Sequence, residues 1–386
     1  MKIIADAQIP FLNGVLEPFA DIKYLQGHSI KKRDIYNADA LIVRTRTHCE
    51  KNLLAGTSVK LIATTTIGTN HLDIPWLENE GIKWRNAPGC NSESVYQYIA
   101  SILALLINDG LNPEKATIGI VGVGMIGSKI EKLAKTLGFN VLLNDPPRER
   151  KEQQNNSSLV PILPFSSKFS NYNTILEVSD IVIFCTTLTF EGTDATYHLF
   201  DYKDIETIKK GSIIINASRG EVINEDALLK GIDMGKISKV ALDVWENEPD
   251  ISTELLNKVW IATPHIAGFS VEGKANGTIM AVREVSSFFD LGLDNWEPKS
   301  VPIPECTTIK IDKSNKKPYQ IAAAAILKTY NVTTDDARFR ANPAEFEKQR
   351  DNYPIRREFD AWTVEISEDN NCLEMLENIG FTINKY

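Results

Sequence analysis

Basic charge is in short supply in this 386-residue chain: 42 Lys and Arg stand against 51 Asp and Glu, a formal net charge of −9. An acidic chain is poorly suited to nonspecific binding of nucleic acid or of an anionic membrane, although local basic pockets for small anions stay open to it. Cysteine is sparse as well. The five residues, Cys49, Cys90, Cys185, Cys306 and Cys372, form no CxxC pair and are odd in number. That pattern argues against a disulfide framework and for reduced thiols in the cytoplasm. No His/Cys/Asp grouping has metal-ligand spacing, so no metal is expected. No apolar run approaches the roughly 18 residues a membrane helix needs; the longest, Ile99 to Ile107, reads as a buried helix. Asp6, Gln8 and Pro10 interrupt the opening apolar run, so no secretory leader is expected. There is no repeat of solenoid period.

What is present is an ordinary globular composition, 43% hydrophobic and 24% charged. At about 150 residues per domain, the length predicts two or three domains. Short apolar runs at Lys2–Ala5, Ala40–Val43, Leu61–Thr64 and Ile82–Trp84 alternate with polar turns and predict a small α/β unit. Ser92 opens a long helix that ends before Pro113. A second alternating series follows, with strands expected at Ile118–Val123, Asn140–Leu143, Ile181–Phe184, Ser212–Ile215, Lys239–Leu242 and Val259–Ala262. Strands alternating with helices imply a parallel sheet covered on both faces. Residues 149–173 are polar and unpatterned and read as a surface loop. Three prolines between Trp296 and Pro304 mark a linker to a third, smaller domain with a helix at Pro318–Lys328.

Gly122-Val-Gly124-Met125-Ile126-Gly127 fits G-x-G-x-x-G between an apolar strand and a helix. Glycines there permit a tight turn, close approach of a pyrophosphate, and close packing of helix on strand. The helix start offers free N–H groups to phosphate. Asp145 closes the next strand, where a carboxylate suits ribose hydroxyls and repels a 2′-phosphate. NAD is therefore expected rather than NADP.

Three later segments each follow an expected strand: Ile215-Asn-Ala217-Ser218-Arg219-Gly, Ala241-Leu-Asp243-Val-Trp-Glu-Asn-Glu248-Pro and Thr263-Pro-His265-Ile-Ala-Gly268. Open α/β sheets bind ligands at the carboxyl ends of their strands. The segments supply an Arg, a Glu and a His. Arginine can fork onto a carboxylate and polarise a carbonyl oxygen. Histidine can take a hydroxyl proton, and glutamate can orient the imidazole. The set suits oxidation of a 2-hydroxy acid.

Together these segments resemble the D-isomer-specific 2-hydroxyacid dehydrogenases, as do Thr66-Ile-Gly-Thr-Asn-His-Leu-Asp73, Asn86-Ala-Pro-Gly-Cys-Asn91 and Glu272-Gly-Lys274. Asp335-Asp-Ala and Asn352-Tyr-Pro-Ile-Arg-Arg-Glu-Phe359 are similar to an extra C-terminal domain carried by one branch of that family. The resemblance implies an α/β fold of three parts. A flavodoxin-like substrate (lid) domain would take residues 1–93 and 268–295, and a Rossmann-type doubly wound NAD domain residues 94–267. A small C-terminal α+β domain, 296–386, would join two copies into a homodimer.

The resemblance further implies Arg219, Glu248 and His265 as catalytic residues. It implies Asp145, Thr186, Ala217, Ser218, Arg219, Asp243 and Gly268 as NAD contacts beside the glycine-rich turn, and Thr45 and Thr66 as substrate contacts. Position 269, commonly a substrate-binding Tyr in the family, is Phe269 here, and position 276, often Arg, is Asn276. A phosphorylated hydroxy acid needs a local cation in so acidic a chain. Arg44 and Arg46 follow the Ala40–Val43 run, with Arg338, Arg340 and Arg350 as further candidates. Two other readings stay open: the same chemistry on phosphoglycerate or glycerate, or an NAD-sensing binding protein on the same fold.

Overall fold

The computed structural model describes residues 1–157, 168–312, 316–366 and 370–385. They form two compact units, Met1–Ser94 with Phe269–Ile303 and Val95–Gly268 with Pro304–Tyr386. In the first, strands β1 (Lys2–Asp6), β2 (Asp21–Leu25), β3 (Ala40–Val43), β4 (Leu61–Thr64) and β5 (Lys83–Arg85) make one parallel sheet. Its order is β2-β1-β3-β4-β5, the flavodoxin order. Side chains alternate between two buried faces: Ile3, Ile42 and Leu61 enter one cluster, Ile4, Leu41 and Ile62 the other. Two covered faces explain why β3 and β4 are continuous apolar runs. The helix Val271–Phe289 adds Ala281, Val282 and Val285 to the first cluster, which is why so distant a segment belongs to this unit. Sequence patterning did not disclose β2. It is an edge strand paired only with β1, and its Asp-Ile-Lys-Tyr-Leu has no fully buried residue.

The second unit holds a six-stranded parallel sheet of β6 (Thr117–Val121), β7 (Asn140–Asn144), β8 (Ile181–Phe184), β9 (Ser212–Asn216), β10 (Ile237–Leu242) and β11 (Ile261–Ala262). The order is β11-β10-β9-β8-β6-β7, and an isolated parallel bridge from Leu143 to Phe169 extends it beyond β7. Strand order reverses between β6 and β8, the switch point where such sheets take ligands. Residues 149–173, expected to be a loop, begin instead inside a helix, Pro146–Ser157. Asp145 accepts a hydrogen bond from the Arg148 amide at 2.9 Å and starts it. The helix is polar all round, so no apolar stripe revealed it; residues 158–167 of that loop lie outside the described residues.

The C-terminal segment adds a three-stranded parallel sheet, β12 (Thr308–Lys310), β13 (Thr363–Ile366) and β14 (Thr382–Lys385), with helices between. It shares the second unit's core. Phe339, fully buried, lies against Trp245 and Phe346 with ring centroids 6.2 and 5.6 Å away. Among the described residues no helix is long and apolar enough to cross a membrane.

Emptying this joint tests the packing. Phe339→Ala should cost about 3–5 kcal/mol, the usual range for a buried Phe truncation. Because the ring sits in the core of the NAD-binding sheet, denaturant unfolding followed by Trp245 fluorescence should shift as a whole. A loss below about 1 kcal/mol would show that the C-terminal segment does not share that core.

Candidate active site

The three loops singled out above follow β9, β10 and β11, three neighbours in the sheet. The first turn is folded by Asn216. Its Nδ2 donates to the Arg219 carbonyl at 2.9 Å, and its Oδ1 accepts from the Ser218 amide and hydroxyl at 3.0 and 2.8 Å. Gly220 then lies so close to the next loop that an added Cβ would stand 2.0 Å from the Trp245 carbonyl group. Only glycine brings the Arg219 loop this near the Glu248 loop. Arg219 donates to the Ser218 carbonyl at 2.6 Å. Burial pushes its guanidinium below the usual value, opposed by Glu248 and Glu221, and it remains a cation.

His265 Nδ1 lies 2.7 Å from Glu248 Oε2, and Glu248 Oε1 accepts from the Trp245 amide at 3.0 Å. The carboxylate is thus held on one side by backbone and offers the other to the imidazole. Burial would push the Glu248 carboxyl up. The charge and hydrogen bond of His265, the Trp245 amide and the charge of Arg350 outweigh that and hold it below the ordinary glutamate value. It is an anion at neutral pH.

His265 adopts a left-handed backbone, φ 56°, a conformation that costs a non-glycine residue on the order of 1 kcal/mol or more. Asp243, only 1% exposed, compensates. Its Oδ1 accepts from the Thr263 hydroxyl at 2.7 Å and the Ile266 amide at 2.8 Å, and its Oδ2 from the Ala267 amide at 2.8 Å. The Asp243 carbonyl takes the His265 amide at 2.7 Å. Behind it, Tyr98 bonds Thr263 at 2.8 Å, and Trp245 Nε1 donates to the Thr263 carbonyl at 3.0 Å. Asn216, Gly220, Tyr98 and Trp245 were not anticipated as parts of this site. Gly220, next to Arg219, was the one signal available.

The glycine-rich turn follows β6. An added Cβ at Gly127 would lie 2.1 Å from the Gly122 carbonyl oxygen, and Gly122 itself has φ 89°, so both positions demand glycine. At Gly124 an added Cβ meets nothing within 4 Å, leaving room beside the start of the helix Met125–Leu137. That helix has no side-chain cap, so the first amides, at Met125 and Ile126 onward, are open to an anion. Across the switch point the Thr186 hydroxyl is buried without a hydrogen-bond partner. Asp145, expected to meet ribose hydroxyls, accepts from the Val123 amide at 2.8 Å and so steadies the turn. These features fit a dinucleotide. Arg148 bonds the Val123 carbonyl and, at 3.0 Å, the Ser128 hydroxyl on the same rim, a cation the motif did not announce.

Arg44, Thr45, Thr66 and Phe269, expected to meet substrate, belong to the first unit, and the further candidates Arg338, Arg340 and Arg350 to the second. Arg44, just past β3, donates Nε to Asp6 at 3.0 Å and Nη2 to Gln8. Asp6 is fully buried, so it fixes the guanidinium while a quarter of the Arg44 side chain stays exposed. Thr45 is exposed. Thr66 Oγ1 bonds Thr64 at 2.9 Å and the Gly68 carbonyl at 3.0 Å. His71 bonds Thr64 at 3.0 Å; burial pushes it down to about 4, so it stays neutral. Phe269 lies beneath the Lys274 ammonium, 4.9 Å from the ring centre. Asn276 donates to the Cys90 carbonyl at 3.1 Å. Arg340 is committed to Asp336 and to the carbonyls of Leu256 and Val259, and Arg338 to Asp335.

Residues 107–267 match the family model described as D-isomer specific 2-hydroxyacid dehydrogenase, NAD binding domain, and residues 300–380 match a domain of unknown function (DUF3410). The solved D-lactate dehydrogenase of Aquifex aeolicus, complexed with NAD and lactic acid, superposes with TM-score 0.61 at 23% identity, covering 76% of this chain and 97% of that one. Fold and site define an NAD-dependent D-2-hydroxyacid dehydrogenase. The erythronate-4-phosphate dehydrogenase of Bacteroides fragilis (strain YCH46) is 42% identical over 374 residues, 95% of this chain and 100% of that protein. That of Proteus mirabilis (strain HI4320) is 37% identical over 385 residues, 99% of each. The chain belongs to the erythronate-4-phosphate dehydrogenase family.

The Glu248–His265 pair makes a prediction of sign. Glu248 has a depressed folded value, so its ionisation stabilises the fold above the ordinary glutamate value of 4.5, and that contribution is lost as pH falls through the folded value. Glu248→Gln should therefore lower the unfolding midpoint most near neutral pH. Thermal melts of both proteins should converge as the buffer is made acidic; a gap independent of pH would contradict the depressed value.

Proposed function

We propose that this chain oxidises 4-phospho-D-erythronate at C2 to 2-oxo-3-hydroxy-4-phosphobutanoate, an early step toward pyridoxal 5′-phosphate. The observation that carries the reading is the His265–Glu248 pair, 2.7 Å apart, at the carboxyl ends of strands that also present Arg219. With Nδ1 on Glu248, the Nε2 of His265 takes the proton of the substrate hydroxyl. Glu248 holds the ring and stabilises the imidazolium. Arg219 binds the carboxylate and draws charge onto the oxygen that becomes a carbonyl. NAD, when bound, accepts the hydride. The residues that hold it are the Gly122–Gly127 turn, Asp145, Thr186, Ala217, Ser218, Arg219, Asp243 and Gly268.

Thr45, Thr66 and Arg44 receive the substrate. The Arg44 guanidinium, oriented by Asp6, is the phosphate ligand. Phe269 contributes a ring face where relatives of the wider family place a phenol. Segment 300–380 matches a domain model of its own, and we take it as the part through which two copies join into a homodimer. The free cysteines support a cytoplasmic location.

The test is NADH formation with a panel of 4-phospho-D-erythronate, D-erythronate, 3-phosphoglycerate and glycerate. The first should have the highest kcat/KM; preference for 3-phosphoglycerate or glycerate would replace the assignment. Hydrogen bonds to charged groups are worth about 1.5–3 kcal/mol, or roughly ten- to a hundredfold. Arg44→Ala should raise KM for the phosphorylated acid by that factor and leave D-erythronate nearly untouched. Equal losses on both would withdraw the phosphate role.

A further inference from the structure

The loop that carries His265 runs between Ala262, the last residue of β11, and Gly268. From within the sheet it is held by Asp243. Its other side faces the C-terminal segment, and that segment touches it at both ends. At the start, the Ala262 amide donates to Asp336 Oδ1 at 2.7 Å. The same oxygen accepts Arg340 Nε at 2.8 Å, and Arg340 reaches the Val259 carbonyl at 2.9 Å and the Leu256 carbonyl. β11 is a two-residue strand at the sheet edge, where unpaired backbone groups need partners. The helix Val332–Ala341 supplies them.

At the far end, Arg356 Nη2 donates to the Ala267 carbonyl. Arg356 is 5% exposed and lies over the rings of Tyr330 and Tyr353, 4.6 and 5.7 Å from their centres. Both tyrosine hydroxyls donate to Asp335 Oδ2, at 2.7 and 2.6 Å, and Asp335 is itself 4% exposed. The Tyr330 carbonyl accepts from Ser101 at 3.0 Å, and the Val332 amide donates to the same hydroxyl at 3.0 Å. The cage around the guanidinium is thereby tied to the long helix Ser92–Asn108. A buried arginine on the backbone carbonyl of Ala267, in the same short loop as His265, fixes the path of that loop.

We propose that the C-terminal domain is a positioning element for catalysis, with Asp336 and Arg356 gripping the His265 loop at its two ends and keeping the imidazole on Glu248. Asp335 and Asp336 are adjacent in sequence and act separately. The first organises the tyrosine cage for Arg356, and the second receives the strand end. The inference rests on His265 being the proton acceptor. Neither Asp336 nor Arg356 is among the residues proposed to hold substrate or cofactor.

The test compares Arg356→Met and Asp336→Ala with the unaltered full chain, reading kcat, the Kd for NAD, and amide hydrogen exchange at Ile266 and Ala267. Displacing a reacting group by about 1 Å can cost on the order of a hundredfold. Each variant should lose about ten- to a hundredfold in kcat, hold its Kd for NAD within about twofold, and exchange the two amides faster. Arg356→Lys keeps the buried cation and one donor, and should recover part of the kcat lost in Arg356→Met. If the methionine variant does not fold, the lysine variant decides, with about a tenfold loss expected. A folded variant with kcat within about twofold of the unaltered chain and unchanged exchange overturns the proposal, as does a kcat that falls only in step with NAD affinity. Should the unaltered chain not turn over the acid at all, the dehydrogenase reading fails while the exchange measurement still decides the grip: faster exchange in the variants supports it and unchanged exchange overturns it.

Discussion

The carboxylate of Asp243 is the constraint on which the rest of the site depends. It is buried, and burial pushes its carboxyl above the ordinary aspartate value while His265, the Thr263 hydroxyl and the amides of Ala267 and Ile266 pull the other way. A buried carboxylate is costly unless its oxygens are satisfied. Here the donors that satisfy it, the Thr263 hydroxyl and the Ile266 and Ala267 amides, belong to the very loop that carries His265. The loop can therefore support a left-handed histidine, since leaving that path would strip the carboxylate of its partners. The pairing of His265 with Glu248 follows from where that loop is held.

The arrangement also divides labour by chain segment. Residues 95–268 carry the Arg219, Glu248 and His265 loops and the glycine-rich turn, each at the end of a parallel strand. In residues 1–94, Arg44, proposed above as the phosphate ligand, is held against the buried Asp6. The C-terminal segment stands behind the reacting loop, sharing the core through Phe339 and Trp245. Preorganisation of this kind is what an enzyme needs from its scaffold, because a proton acceptor works only when placed within hydrogen-bond reach of its proton.

Much of this was legible in the residues. Buried parallel strands announce themselves as apolar runs, so β3, β4, β6, β8, β9 and β10 were all visible. The strand–turn–helix context made the turn at Gly122, Gly124 and Gly127 readable, and the expected strand ends placed the loops of Arg219, Glu248 and His265 on neighbouring strands. What escaped had no local signature. β2 and the strands of the C-terminal sheet are short or near edges, and the Pro146–Ser157 helix is polar on every face. Asp6, Tyr98, Asn216 and Arg356 act through hydrogen bonds set by the folded chain, most of them to residues far off in sequence. Single-sequence patterning carries no information on such pairs. Gly220, beside Arg219, was the one visible signal, and its reason is the Trp245 backbone pressed against it.

The account turns on His265 as the group that takes the substrate proton. The direct measurement is NADH formation from 4-phospho-D-erythronate by the His265→Ala protein, alongside its Kd for NAD. A general base contributes about 10²–10⁴-fold. The account predicts a loss of that size in kcat at neutral pH, with NAD bound as tightly as by the unaltered chain. Turnover near that of the unaltered chain would contradict it.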